Sequence, residues 1–108
     1  MRERAMIEIC CGSYEDALAA DRGGAERIEL NSALALAGLT PCAGCVKLVK
    51  KNTGLKVISM VRPRGAGFNY TEAETEQMFA DGEELLKAGS DGLAFGFLTE
   101  DREIDRDK

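Results

Sequence analysis

Val57-Ile58-Ser59-Met60-Val61-Arg62-Pro63-Arg64-Gly65-Ala66-Gly67-Phe68 is the stretch whose reading decides the fold. An apolar, β-branched run rises into two arginines set around a proline and then falls into a glycine-rich turn. Pro63 fixes its own φ and biases Arg62 toward an extended backbone. Arginine keeps its charge at any working pH and presents a planar fork of donors. The stretch therefore reads as a strand, Lys56 to Arg62, whose C-terminal end carries a rigid cationic group to a rim.

Similar units lie on either side. Residues 6–11 (Met6-Ile7-Glu8-Ile9-Cys10-Cys11) read as a first strand. Ser13 with Asp16 three residues on resembles a capping box and predicts a helix to about Arg22, stopped by Gly23-Gly24. Glu26 to Leu30 is a second strand, and residues 31–40 form a loop of small residues. Thr40 as N-cap and Pro41 at the first helical position predict a second helix ending at Asn52 to Gly54, with Val46, Leu48 and Val49 buried. Thr71 to Glu74 is another capping box. The helix it opens runs to about Ala88, with Met78, Phe79, Leu85 and Leu86 on one face and Gly89 closing it. Asp91 to Phe97 is a fourth strand, and residues 99–108 form a charged tail.

The order βαβαβαβ with short links predicts a parallel sheet with right-handed crossovers. The strands carry aliphatics on one face: Ile7 and Ile9, Ile28 and Leu30, Leu93 and Phe95. The other face carries Glu8 and Cys10, Arg27 and Glu29, Met60 and Arg62, then Gly92, Ala94 and Gly96. An open doubly wound sheet would be apolar on both faces of its central strands. A polar-or-small face suits the interior of a (β/α)8 TIM barrel, with sites at the C-terminal strand ends. The fold class is thus α/β, the first half of a TIM barrel, truncated before the fourth helix, with residues 1–108 as one partial-barrel domain.

The 108 residues carry 19 acids and 14 bases, a net charge of −5. That balance argues against a general nucleic-acid binder. The charged start, Met1-Arg2-Glu3-Arg4-Ala5-Met6, has no apolar core of signal-peptide length behind it, and no run reaches membrane-span length. The expectation is a cytoplasmic protein with neither nucleic-acid nor membrane partners. Four cysteines (Cys10, Cys11, Cys42, Cys45) read as free thiols, metal ligands or redox groups. Histidine is absent, which removes the commonest general base and metal ligand.

Glu8-Ile9-Cys10, Gly23 to Leu30, Gly38-Leu39-Thr40-Pro41, Met60 to Gly65, Asp91-Gly92 and Phe95 to Asp101 fall in the same order in the CutC family, which this chain resembles from about residue 6 to residue 105. The family is named for copper homeostasis and has a TIM-barrel fold. The resemblance implies a cytoplasmic copper-handling protein with Cu(I) as its ligand. It also implies a Cu(I) site at Cys10 and a second cysteine after the Arg27-Ile28-Glu29-Leu30 strand, where this chain has Asn31. A TIM barrel takes roughly 250 residues, so the chain reads as four βα units without the last helix. Three readings stand: a truncated product, a fragment, or a half-barrel completed by self-association.

Candidate chemistry gathers at the rim. Soft thiolates favour Cu(I), which points to Cys10, although a free cysteine is also a small buried hydrophobe. Cys42-Ala43-Gly44-Cys45 is a C-x-x-C read at the start of the second helix, where a helix N-terminus lowers a thiol pKa. Cys42 and Cys45 could join Cys10 in a three-thiolate Cu(I) or Zn(II) site, form a labile disulfide, or simply be two small residues. Glu8, Glu29, Arg27 and Arg62 read either as an internal ion-pair network or as an enzyme-type pocket. In the pocket, Arg62 clamps a small anionic molecule and Glu8 or Glu29 moves a proton. Arg64 and Asn31 are further ligand-binding candidates. The functional alternatives are copper homeostasis and copper binding, an anion-binding pocket, and a non-functional remnant or assembly module.

Overall fold

The computed structural model describes residues 5–108, so part of the charged N-terminal hexapeptide lies outside the described residues. Strands and helices alternate as β1 (Glu8–Cys11), α1 (Tyr14–Arg22), β2 (Arg27–Leu30), α2 (Ala43–Asn52), β3 (Lys56–Met60), α3 (Glu72–Lys87) and β4 (Gly92–Ala94), with a 3-10 turn at Leu34–Leu36. The sheet order is β1-β2-β3-β4, and every pairing is parallel. The expected βαβαβαβ order holds; β1 and β2 start later than expected, β3 ends earlier, and β4 is shorter at both ends.

Two helix starts follow the local chemistry. The Ser13 hydroxyl accepts from Asp16 N–H at 3.0 Å, while the Asp16 carboxylate reaches back to Gly12 N–H at 2.9 Å. Thr71 and Glu74 form a reciprocal capping box. The start of α2 differs from expectation. Cys42, not Thr40, is its N-cap, and it offers no side-chain cap. Thr40 is used elsewhere: its Oγ1 accepts from Arg62 N–H at 2.9 Å and its N–H donates to Arg62 O at 3.1 Å. These bonds tie the β2–α2 link to the end of β3 and delay the helix by two residues.

The register aligns Ile9, Ile28 and Val57 across three strands, and Ser59 with Leu93. Since paired residues in a parallel sheet share a face, Cys11, Ile28, Leu30, Val57 and Val61 all turn toward the helices. They are buried there against Ala17, Val46, Val49, Met78 and Leu85. Each such aliphatic side chain contributes about 1.5–3 kcal/mol on leaving water. Ser59 is polar but satisfied, its Oγ lying 2.8 Å from that of Ser90. Helices cover this face only. On the other face Glu8 and Cys10 are exposed, and Arg27, Glu29, Ile58, Met60, Gly92 and Ala94 are half-buried.

Coverage also stops short at both sheet edges, which corrects the expected core. Ile7 and Ile9 lie beside Ala19 and Ala20 of α1, and Phe95 beside Phe79 and Leu86 of α3, yet they stay 54%, 41% and 60% exposed. Phe79 and Leu86 of α3 and Leu48 of α2 are exposed too, because each helix packs along a stripe only as wide as its neighbours allow. Residues 99–108 are folded rather than trailing. Leu98 bridges Ile104, and Asp105 N–H donates to Phe97 O at 3.0 Å.

Opposite ends of the sheet are secured differently. At the N-terminal ends of β3 and β4, Asp91 Oδ2 accepts from Val57 N–H and Lys50 Nζ, both at 2.8 Å. Burial disfavours the Asp91 charge, but the bonds from Lys50 and Val57 outweigh it and hold the carboxyl below its usual range. At the C-terminal end, Arg64 staples the glycine-rich loop. Its Nε and Nη2 hold the Glu74 carboxylate at 2.7 and 3.0 Å, and the remaining contacts go to the carbonyls of Gly65, Ala66, Gly67 and Asn69 at 2.9–3.1 Å. The guanidinium also lies 4.6 Å from the Tyr70 ring centroid.

Arg64, followed by Thr71 N–H, lowers the Glu74 carboxyl from 4.5 to about 2. A depressed folded-state value contributes stability that is full above pH 4.5 and is lost as pH falls toward 2. Urea midpoints measured across that window should therefore fall more steeply for the wild type than for Glu74→Gln. Parallel pH profiles would show that the staple contributes nothing to folding.

Candidate functional site

The C-terminal strand ends bring together some of the expected site residues and separate others. Cys10 and Asn31 meet. Asn31 is 2% exposed, and its Nδ2 lies 3.5 Å from Cys10 Sγ, 3.3 Å from Glu29 Oε1 and 3.2 Å from Glu29 O. Gly38 backs this amide at close range. A Cβ there would stand 2.5 Å from Asn31 Oδ1, and its φ of +93° is in the left-handed region that favours glycine. Asn31 therefore links β1 to β2 at the rim and orients the Glu29 carboxylate beside the Cys10 thiol.

The expected charged quartet divides into separate groups. Arg27 Nε donates to Glu8 Oε2 across the β1–β2 pair, and Glu29 is held by Asn31. Among the described residues, Arg62 forms no ion pair with either glutamate. Its Nε is buried without a hydrogen-bond partner, and its guanidinium carbon lies 4.9 Å from the Phe68 ring centroid. Arg62 is thus fixed through its backbone by Thr40 and shielded on one side by Phe68, with guanidinium donors left unspent. Beside it, a cleft between the start of α2 and α3 is lined by Thr40, Cys42, Ala43, Arg62, Gln77 and Asp81. Arg64, in contrast, directs its guanidinium to the loop carbonyls and Glu74. Phe68, Thr40 and Glu74 build the rim without a sequence signal for that role: the Thr40-Pro41 pair and the Thr71-to-Glu74 spacing signal helix caps rather than arginine partners.

The thiols also divide. Cys10 lies exposed on the open face, while Cys11 points into the helix layer at 0% exposure. Cys45, half-buried on α2, packs against the buried cluster that contains Cys11, whereas Cys42 is exposed at the N-cap of α2. Among the described residues, no group of three or more cysteine or acidic side chains is placed to hold a metal ion. The three-thiolate arrangement of Cys10, Cys42 and Cys45 is therefore not formed, and all four thiols are free. The expected thiol activation is reversed at Cys45: burial first, then Cys42, raises its pKa. Cys10 is raised as well, by burial and then by the charges of Glu29, Asp16 and Glu8. The Cys11 thiol is pushed up to about 11, mainly by burial. No helix among the described residues is long and apolar enough to cross a membrane.

Residues 5–108 match the CutC family. The chain is 57% identical over 99 residues to a family protein CutC of Treponema denticola, a match covering 92% of this chain and 40% of that protein. It is 46% identical over 102 residues to a copper homeostasis protein cutC homolog of Homo sapiens, covering 94% of this chain and 37% of that protein. The crystal structure of a CutC from Streptococcus agalactiae superimposes with a TM-score of 0.84 at 34% identity, covering 91% of this chain and 48% of that one. The chain thus spans less than half the length of these relatives, and its four parallel units form a partial TIM barrel. With this architecture, and with the family match running through the whole described region, the chain belongs to the CutC family.

Proposed function

We propose that the chain acts in copper homeostasis and that Cys10 is its Cu(I)-contacting residue. The carrying observation is the position of Cys10: a free, exposed thiol at the C-terminal end of β1 on the open face, beside Glu29 and Asn31. Thiolate is the soft ligand that Cu(I) favours. The name of the Homo sapiens relative, copper homeostasis protein cutC homolog, supports the copper homeostasis part of this reading. Asn31 stands where a second thiol would strengthen the site, so one cysteine supplies the soft donor and the ion's remaining coordination stays open to a small thiol or a second donor. That arrangement suits transfer of a bound ion better than storage.

Because the Cys10 pKa is raised, Cu(I) must displace a proton to bind, and apparent affinity should climb about tenfold per pH unit below that pKa. Titration against a chromogenic Cu(I) chelator should show this slope in the wild type and not in Cys10→Ser, whereas Cys42→Ser should behave as wild type. Equal affinities for wild type and Cys10→Ser would remove Cys10 from the site.

A second reading rests on Arg62, whose buried Nε has no partner. An oxyanion accepting from this guanidinium would satisfy those donors, with charge-assisted bonds roughly twice as strong as neutral ones. Glu8 and Glu29 are held by Arg27 and Asn31, so the reading is one of anion binding, without an assigned proton-transfer group. Inorganic phosphate should raise the melting temperature of the wild type and leave that of Arg62→Ala unchanged. The same shift in both proteins would exclude Arg62 as the anion's partner.

A further inference from the structure

We propose that Cys42 and Cys45 are a redox-active dithiol that closes to an intrahelical disulfide on reaction with a small disulfide of the glutathione type. The pair occupies the N-cap and the third helical position of α2. These are the positions whose side chains meet across the first turn in a capping box. The other two helices use the same positions. Ser13 Oγ accepts from Asp16 N–H at 3.0 Å in α1, and Thr71 Oγ1 from Glu74 N–H at 3.1 Å in α3. In α2 both positions are thiols, and no side-chain cap is made.

Backbone geometry sets the reach. Cys45 N–H donates to Cys42 O at 3.1 Å, and Val46 N–H reaches the same carbonyl at 3.4 Å. A turn closed by such a bond keeps its end Cα atoms within about 7 Å, and a disulfide spans Cα atoms up to about 6.8 Å apart. Ala43 and Gly44 between the thiols are small, and a Cβ on Gly44 would meet nothing within 4 Å, so that side of the turn is open. The other two thiols are not placed for this chemistry. Cys10 and Cys11 are neighbours in β1 but leave it on opposite faces, one exposed and one buried. Cys45 packs against the cluster that holds Cys11, yet Cys11 is 0% exposed and closed to an external oxidant.

Unequal access assigns the roles. Cys42 is exposed and opens on the cleft beside Thr40 and Arg62, whereas Cys45 is half-buried. Cys42 is therefore the entry thiol and Cys45 the resolving one. The Cys42 thiolate attacks one sulfur of the small disulfide, whose S–S bond breaks, and the first small thiolate leaves and takes up the proton that Cys42 lost. Cys45 then gives its proton to water and attacks Cys42 Sγ. The mixed disulfide breaks, and the second small thiolate leaves and is protonated by water. Two protein thiols are oxidised by two electrons, and the small disulfide is reduced to two thiols. Burial and then the Cys42 charge raise the Cys45 pKa. Forming the mixed disulfide removes that charge, so the resolving thiol is eased toward its reactive form only after entry.

The test equilibrates the native protein with glutathione at stepped oxidised-to-reduced ratios, followed by acid quench, alkylation, trypsin and mass spectrometry. Neither Lys nor Arg lies between Ile28 and Val46, so residues 28–47 leave as one peptide carrying both thiols, while Cys10 and Cys11 leave on residues 5–22. Peptide 28–47 should lose two hydrogens and both alkylation sites as the ratio rises, and regain them with dithiothreitol, under an unchanged far-UV spectrum. Cys45→Ser should retain one glutathionyl group on Cys42, and Cys42→Ser should leave Cys45 unmodified. Two free thiols on peptide 28–47 at every ratio would overturn the proposal. So would a cross-link between peptides 28–47 and 5–22, which would make Cys11 the partner of Cys45. A glutathionyl group that persists on Cys42 while Cys45 is present would overturn the resolving role. The assay contains no metal, so its outcome is separate from the Cu(I) assignment of Cys10.

Discussion

The structure depends on one constraint: four parallel strands joined by crossovers of one hand place every helix on the same side of the sheet. That side becomes the core, where Ile28, Leu30, Val57 and Val61 meet Val46, Val49, Met78 and Leu85. The other side is left mainly to polar and small residues, with Ile58 and Met60 among them. Alternation along each strand then determines which side chains can have functional access. Cys10 lies on the open side and Cys11 one residue later on the closed side, so neighbouring thiols have different solvent access and different chemistry.

The two ends of the sheet divide stability from chemistry. Asp91 and Lys50 secure the N-terminal end, bonding strand, helix and backbone together. The C-terminal end holds Asn31, Arg62 and the glycine-rich loop. This is the end at which barrel proteins of this kind place their sites. The arginines flanking Pro63 show how finely the division runs. Arg64 spends its donors on Glu74 and four carbonyls and so makes the rim rigid. Arg62, held by Thr40 through its backbone, keeps a buried Nε without a partner. One arginine builds the loop, and the other retains recognition capacity.

Several large apolar side chains are left facing water. Ile7, Ile9 and Phe95 are exposed beside the outer strands and Phe79 and Leu86 on α3, while Leu34, Leu36, Leu48, Phe68 and Ile104 are exposed elsewhere on the surface. Ile9 on β1 and Phe95 just beyond β4 flank the outer strands, whose second edges have no strand partner among the described residues.

The sequence by itself determined the element order, the parallel sheet and the two faces. These follow from short-range rules: β-branched runs, capping pairs such as Thr71 with Glu74, and the period-two alternation of each strand. It also singled out Cys10 and Arg62 as rim residues, because strand ends are locally visible, while Asn31 came from the family resemblance. Only the tertiary structure decided how these residues are used. Whether Arg64 meets a ligand or Glu74, whether Thr40 caps a helix or holds Arg62, and whether Cys45 lies beside Cys10 or Cys11 depend on contacts between units distant in the chain. Local patterns specify the direction in which a side chain leaves the backbone. The partner it finds there is specified by the packing of the other units.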